Sequence, residues 1–135
     1  MSAFSDYFEN ALANWFRGTT FPAVPANVYV SLHTATLNDD GTGTEVSGFA
    51  YVRKAVATST AQWDATSGTD GHTQNTNAIT FVTATGSWGV ITDFGIWDAS
   101  TSGNLIVKGT LTASKTVGSG DTFQFNAGDL DITFA

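Results

Sequence analysis

The side chains that could carry chemistry in this chain are few and scattered. Asp93 stands inside the apolar run VITDFGIWD, Asp98 and Asn104 flank ASTSG, and His33 closes the alternating run NVYVSLH. Asn38, Asp40 and Thr42 share the polar stretch LNDDGTGTE. Two carboxylates acting as acid and base would have to converge across a cleft, one of them with a raised pKa. Asp93 is the one acid that no turn explains. Its partners in alternation are Ile91, Gly95 and Trp97, so a hydrogen-bonded structural role or an interface role is expected of it before catalysis. Asp98 and Asn104 bracket a hairpin loop, where such side chains bond nearby backbone amides.

Sequence order alone leaves a serine, histidine and aspartate arrangement open, because such triads are defined by geometry. No G-x-S-x-G elbow is present, however. His33 falls on the outward face of a strand and His72 in a polar loop, so both are expected at the surface. With no cysteine and no histidine pair at ligand spacing, a zinc site is disfavoured. If Gly43 is the required glycine of a calcium loop, Asn38, Asp40 and Thr42 take early ligand positions, but Phe49 falls where a bidentate acid belongs. Gly86, Gly89 and Gly95 precede no helix and form no phosphate cradle. Trp63 is the single candidate for stacking on a sugar. The expectation is therefore a protein that is not an enzyme and needs no cofactor or metal.

The elements that position these groups follow from composition and period. At 135 residues the chain is most simply one compact fold that buries roughly two thirds of its unfolded surface. Five basic residues stand against twelve acidic ones, giving a net charge of −7. That disfavours nucleic acid and anionic membranes, both of which need clustered Lys and Arg; the only adjacent basic pair is Arg53 and Lys54. No basic leader precedes the first apolar residues and no apolar run is long enough to span a membrane, so a soluble protein made without a secretion signal is expected.

Phe4, Phe8, Leu12, Trp15 and Phe16 recur at helical spacing, which predicts a helix over about residues 3–17. Ser2 or Ser5 can cap its start and Gly18 can end it. Its apolar stripe must be covered, either within the chain or by a partner. An extended connector, TTFPAVPA, divides an N-terminal part (1–25) from a β domain (26–135). Beyond it the period changes to two, and turns recur about every 8 to 12 residues. This predicts an all-β antiparallel sandwich, jelly-roll-like, of about seven or eight strands. Its expected core comprises Val28, Val30, Leu32, Phe81, Leu105, Val107, Phe123, Phe125, Leu130, Ile132 and Phe134. A strand is expected over FAYVRKAVATST, poorly alternating and therefore suited to an edge or interface. The segment over 61–78 reads as the mobile loop. The candidate interface joins Phe4, Phe8, Leu12, Trp15 and Phe16 of the helix to Tyr51, Arg53 and Lys54 of the poorly alternating strand.

Several spaced segments carry a resemblance: FSDYFENALANWFRG, PANVYVSLHT, GTEVSGFAYVRKAV, NTNAITFVTATGSWGVITDFGIWDA, GNLIVKGTLTASKTV and GSGDTFQFNAGDLDITF. Together they span nearly the whole chain, which resembles small structural proteins of tailed bacteriophages, of the type called phage tail fibre protein and similar also to head decoration, or cement, proteins. The resemblance implies a virion protein assembled in the bacterial cytoplasm and carries no catalytic residues with it. The first expectation is a cement protein on the capsid surface that binds the major capsid protein lattice as a homo-oligomer, dimer or trimer. A tail-fibre or tail-tip module, or a carbohydrate-binding sandwich, is the alternative. The chain has no heptads for a fibre shaft.

Overall fold

A computed structural model describes residues 2–66 and 71–134. The mobile loop expected over 61–78 lies partly outside the described residues. Chain order is β1 (Ser2–Phe4), α1 (Asp6–Phe16), β2 (Asn27–His33), β3 (Lys54–Ala57), β4 (His72–Gln74), β5 (Ile79–Thr80), β6 (Gly89–Trp97), β7 (Leu105–Val117), β8 (Gln124–Phe125) and β9 (Asp131–Thr133). The fold is an all-β sandwich with one helix, built from nine strands among the described residues rather than seven or eight. One layer is a five-stranded antiparallel sheet in the order β1-β7-β6-β2-β3. The other consists of two short ladders, β4-β9 and β5-β8. Between them lies the main core of Val28, Val30, Leu32, Ile91, Phe94, Ile96 and Val107 from the sheet, with Phe81, Phe123, Phe125, Leu130 and Ile132 from the opposite layer.

The N-terminus is spliced into this sheet. Residues 2–4 do not begin the helix; they pair with β7, Phe4 opposite Val107. The helix starts only after Ser5, whose extended backbone and Oγ, which accepts from the Phe8 N–H at 3.2 Å, make it the N-cap. The same hydroxyl donates to the carbonyl of Leu105, tying the cap to β7. At the far end Gly18 adopts φ +80°, a left-handed conformation that stops the helix at little steric cost.

Two irregularities in the β6–β7 ladder redistribute side chains between faces. From the Ile96–Val107 pair to the Trp97–Leu105 pair, β6 advances one residue and β7 two. Ile106 is the extra residue of a bulge. Strict alternation would put Leu105 and Val107 on one face; the bulge instead leaves Val107 in the main core and sends Leu105 to the opposite side, where it is also buried, against Trp97 and Leu37. A second shift between Ile91 and Asp93 returns Ile91 to the main core although Asp93 faces away from it.

Two other expectations are corrected. Phe134 is 39% exposed rather than core, because β9 ends at Thr133; its ring stacks on Phe4 at 4.7 Å between centroids. The strand expected over residues 49–60 shrinks to Lys54–Ala57 because Gly48, Phe49 and Ala50 all have positive φ and turn the chain before it. Phe49 there lies over Gly86, where an added Cβ would come within 2.2 Å of its ring.

Candidate functional site

Titratable groups collect on the second face of the five-stranded sheet. The alternation that sends Val28, Val30 and Leu32 into the core sends Tyr29, Ser31 and His33 the other way. Register places Ser31 opposite Gly95 and His33 opposite Asp93. His33, expected at the surface, is 1% exposed. An outward position is exposed only when nothing is laid over it, and here the polar stretch 34–45 folds back across the sheet. Leu37 of that strap is fully buried against Trp97 and Leu105, and His33 forms a β-bridge with Glu45.

Ser31 Oγ lies 2.8 Å from His33 Nε2, the separation of a nucleophile and its base. The pair is not arranged for attack. Ser31 has no exposed surface, and Trp97 Nε1 donates to the same oxygen at 2.7 Å. Nδ1 of His33, where a triad carboxylate would bind, has no hydrogen-bond partner among the described residues. Burial lowers the His33 pKa; the charges of Glu45 and Asp93 oppose that shift and Arg53 adds to it. Asp93 is also buried, and its carboxylate accepts from the Leu37 N–H at a long 3.4 Å. This bond links β6 to the strap beside the shorter one from Lys108 Nζ to the Leu37 carbonyl at 2.9 Å.

Arg53 ties three segments together. Its Nε and Nη2 fork onto Glu45 at 2.8 and 2.9 Å, while Nη1 donates to the carbonyls of Ala99 and Ser102 at 3.0 and 2.9 Å. The guanidinium also lies 4.0 Å over the Trp97 ring. Tyr51 donates its hydroxyl proton to Glu45 Oε1 at 2.9 Å and accepts from the Leu32 N–H at 3.0 Å. Burial pushes the Tyr51 pKa up. Burial also opposes the charge on Glu45, but the hydrogen bonds and charge of Arg53, with the Tyr51 bond, outweigh it and hold the Glu45 pKa low. Arg53 and Tyr51 therefore spend their polar groups inside the chain, and of the three strand residues in the candidate interface Lys54 alone is exposed.

The remaining candidates are satisfied locally. Asp98 accepts from the Asn104 backbone and side-chain N–H groups at 2.7 and 2.8 Å, closing the hairpin loop. Asp40 accepts from the Thr42 side chain and backbone, which lowers its pKa, and Asn38 donates to Thr42. The loop read for calcium thus closes on its own side chains. Trp63 packs against the main core and donates to the Ala57 carbonyl at 3.1 Å, so its ring is not a free sugar platform. His72 lies 2.9 Å from Asp131. Among the described residues no group of three or more His, Cys, Asp or Glu could hold a metal ion.

The helix stripe divides. Phe4 and Phe8 stack at 4.9 Å, and Phe8 meets Phe21 edge-on at 5.4 Å. Leu12, Trp15 and Phe16 are 37%, 59% and 83% exposed, and Trp15 and Phe16 touch each other edge to face. Sequence reasoning missed Ser31 and Trp97 as members of a buried polar layer, and half-buried Glu45 at its edge. The available signal was Arg53, an arginine in a chain with only five basic residues, eight positions after Glu45.

A family model described as Podophage GP4 fiber I protein gp80 matches residues 3–133. No curated protein matches the chain.

Proposed function

Because the chain belongs to the podophage GP4 fiber I protein gp80 family, and is thereby a small phage virion structural protein of tail-fibre type, we propose that it is a non-enzymatic fibre component held to its neighbours through the C-terminal end of α1. One observation carries this reading: α1 has no buried residue, and its Leu12, Trp15 and Phe16 leave an aromatic stripe in solvent. Exposed aromatics grouped on a surface mark contact sites, because covering them releases ordered water. Val24, 81% exposed in the connector that follows, adds to the apolar surface of this N-terminal part. Against catalysis stands the sealed Ser31 and His33 pair, which no substrate could reach without displacing the strap.

A second reading keeps the same surface and changes the partner. A compact sandwich suits a capsid decoration protein that straddles neighbouring copies of the major capsid protein. Both readings expect a homo-oligomer, dimer or trimer, and neither involves nucleic acid or membrane; no helix among the described residues is long and apolar enough to cross one.

Fractionation separates the two. Tail-less heads and isolated tails are sedimented with the purified protein and with a Trp15→Ala, Phe16→Ala double variant. Binding to tails that the double variant loses supports the fibre reading, and binding to heads alone supports decoration. Wild-type binding by the folded double variant would remove α1 as the contact.

A further inference from the structure

We propose that His33 is a proton-operated latch on the strap formed by residues 34–45. The observation behind this is an imbalance in the buried layer. A serine hydroxyl has one proton to give and two lone pairs to fill. The Trp97 N–H takes one lone pair of Ser31 at 2.7 Å; if His33 Nε2–H takes the other at 2.8 Å, the hydroxyl proton is left for the Gly95 carbonyl at 3.4 Å. That arrangement uses every valence of Ser31. It leaves His33 Nδ1 as a lone acceptor, buried and without a partner among the described residues, a state that favours neutral imidazole and costs stability.

Proton uptake from solvent turns Nδ1 into an N–H donor that must find an acceptor. The groups around it are Glu45 on the strap, Asp93 on β6, and Arg53 and Tyr51 on the segment entering β3. Asp6 and Tyr7 of α1, with Asp39 and Asp40 of the strap, line a cleft that His33, Glu45 and Arg53 also border. Lys108 on β7 is engaged with Asp39 and the Leu37 carbonyl, and Asp98 with Asn104. Glu45 is held by Arg53 and Tyr51. Asp93 is the carboxylate placed to respond: it sits directly across from His33 in the ladder, and its hydrogen bond to the strap, from the Leu37 N–H, is long. Directly opposite residues on antiparallel strands bring their Cβ atoms within about 5 Å. Imidazolium therefore draws the Asp93 carboxylate from Leu37, and the strap loses its amide tie there while the Lys108 bond to the Leu37 carbonyl remains. The Trp97 and Ser31 bonds survive, since Nε2 remains a donor in both states.

Nuclear magnetic resonance on the full chain tests this from pH 7.5 down to the onset of acid unfolding. The His33 ring nitrogens and the Leu37 amide are followed together, with amide exchange corrected for its intrinsic pH dependence. The expected result is one shared midpoint, at which Leu37 protection falls by about tenfold, the exchange equivalent of one lost bond of roughly 1.4 kcal/mol. His33→Gln and Asp93→Asn should each abolish the step, and His72→Gln, which removes the only other histidine, should leave it in place. A His33 that stays neutral throughout the folded range, or that titrates while Leu37 protection stays constant, overturns the proposal. So does a step that persists in Asp93→Asn, which preserves an acceptor for Leu37 and serves as the decisive variant if His33→Gln fails to fold.

Discussion

The two faces of the five-stranded sheet are made by alternate residues of the same strands, yet they hold the protein together differently. On one face Val30, Leu32, Phe94, Ile96 and Val107 meet the aromatic residues of the second layer, and contact there is non-directional. On the other, Ser31, His33, Asp93 and Trp97 lie under a strap and a hairpin loop, held by bonds whose donors and acceptors must match. The apolar face supplies cohesion. The polar face fixes the position of irregular segments that have no regular ladder of their own, which is why it tolerates change less evenly.

Core truncation tests the first face most severely. Leu32→Ala and Leu130→Ala, both at fully buried positions, should each cost about 3 to 5 kcal/mol. Chemical denaturation of either variant at wild-type midpoint would show that the main core is not where cohesion resides. On the polar face Arg53→Ala should cost about 3 kcal/mol, because it strands Glu45 and frees two backbone carbonyls at once. Loosening should be local, read as increased exchange of amides in 98–104 before global unfolding. Gly95→Ala should cost about 1 to 3 kcal/mol through overpacking alone, since the added Cβ would lie 2.8 Å from Leu37, Ser31 and Trp97 atoms. A neutral outcome there would mean that the polar layer can re-form around a methyl group.

Acid should distinguish the faces without mutation. The folded pKa of His33 is depressed below its ordinary 6.5, so the unfolded chain takes up the proton first as pH falls. Stability should decline from about pH 6.5 downward and level off below the folded pKa, with His33→Gln flattening that decline. Glu45 is also depressed, from 4.5, and its contribution should disappear at lower pH still, as pH falls through its folded value. Melting temperatures across this range would separate the two windows. The smallest effect belongs to Trp15→Ala and Phe16→Ala, expected to change stability by no more than about 0.5 kcal/mol because both rings stand in solvent. Stability losses well beyond that would place the end of α1 within the cohesive part of the protein.

Period-two alternation located β2 and the core residues Val28, Val30 and Leu32, because side-chain direction in a strand is a local property of the backbone. The helix was legible from its stripe, and the Asp98 and Asn104 hairpin from turn chemistry. β1 was not legible. Three residues with one aromatic carry no period, and they become a strand only because β7 offers an edge. Leu105 and Val107 are both buried as expected, but that they face opposite sides was not legible for a related reason: a one-residue bulge leaves no mark in composition yet reverses the faces beyond it.

What the sequence determined by itself is the class of fold, the acidic and cysteine-free character, and the presence of an aromatic helix to be partnered. Each follows from composition or from periods of a few residues, which act over distances shorter than the chain's folds. Only the tertiary structure decided that His33 and Ser31 are buried, that Arg53 faces inward, and that the stripe splits into a packed half and an exposed half. Those outcomes depend on which distant segment comes to lie over a face. The strap at 34–45 covers His33, and Phe21 and Phe134 cover Phe8 and Phe4, through contacts that no local pattern encodes.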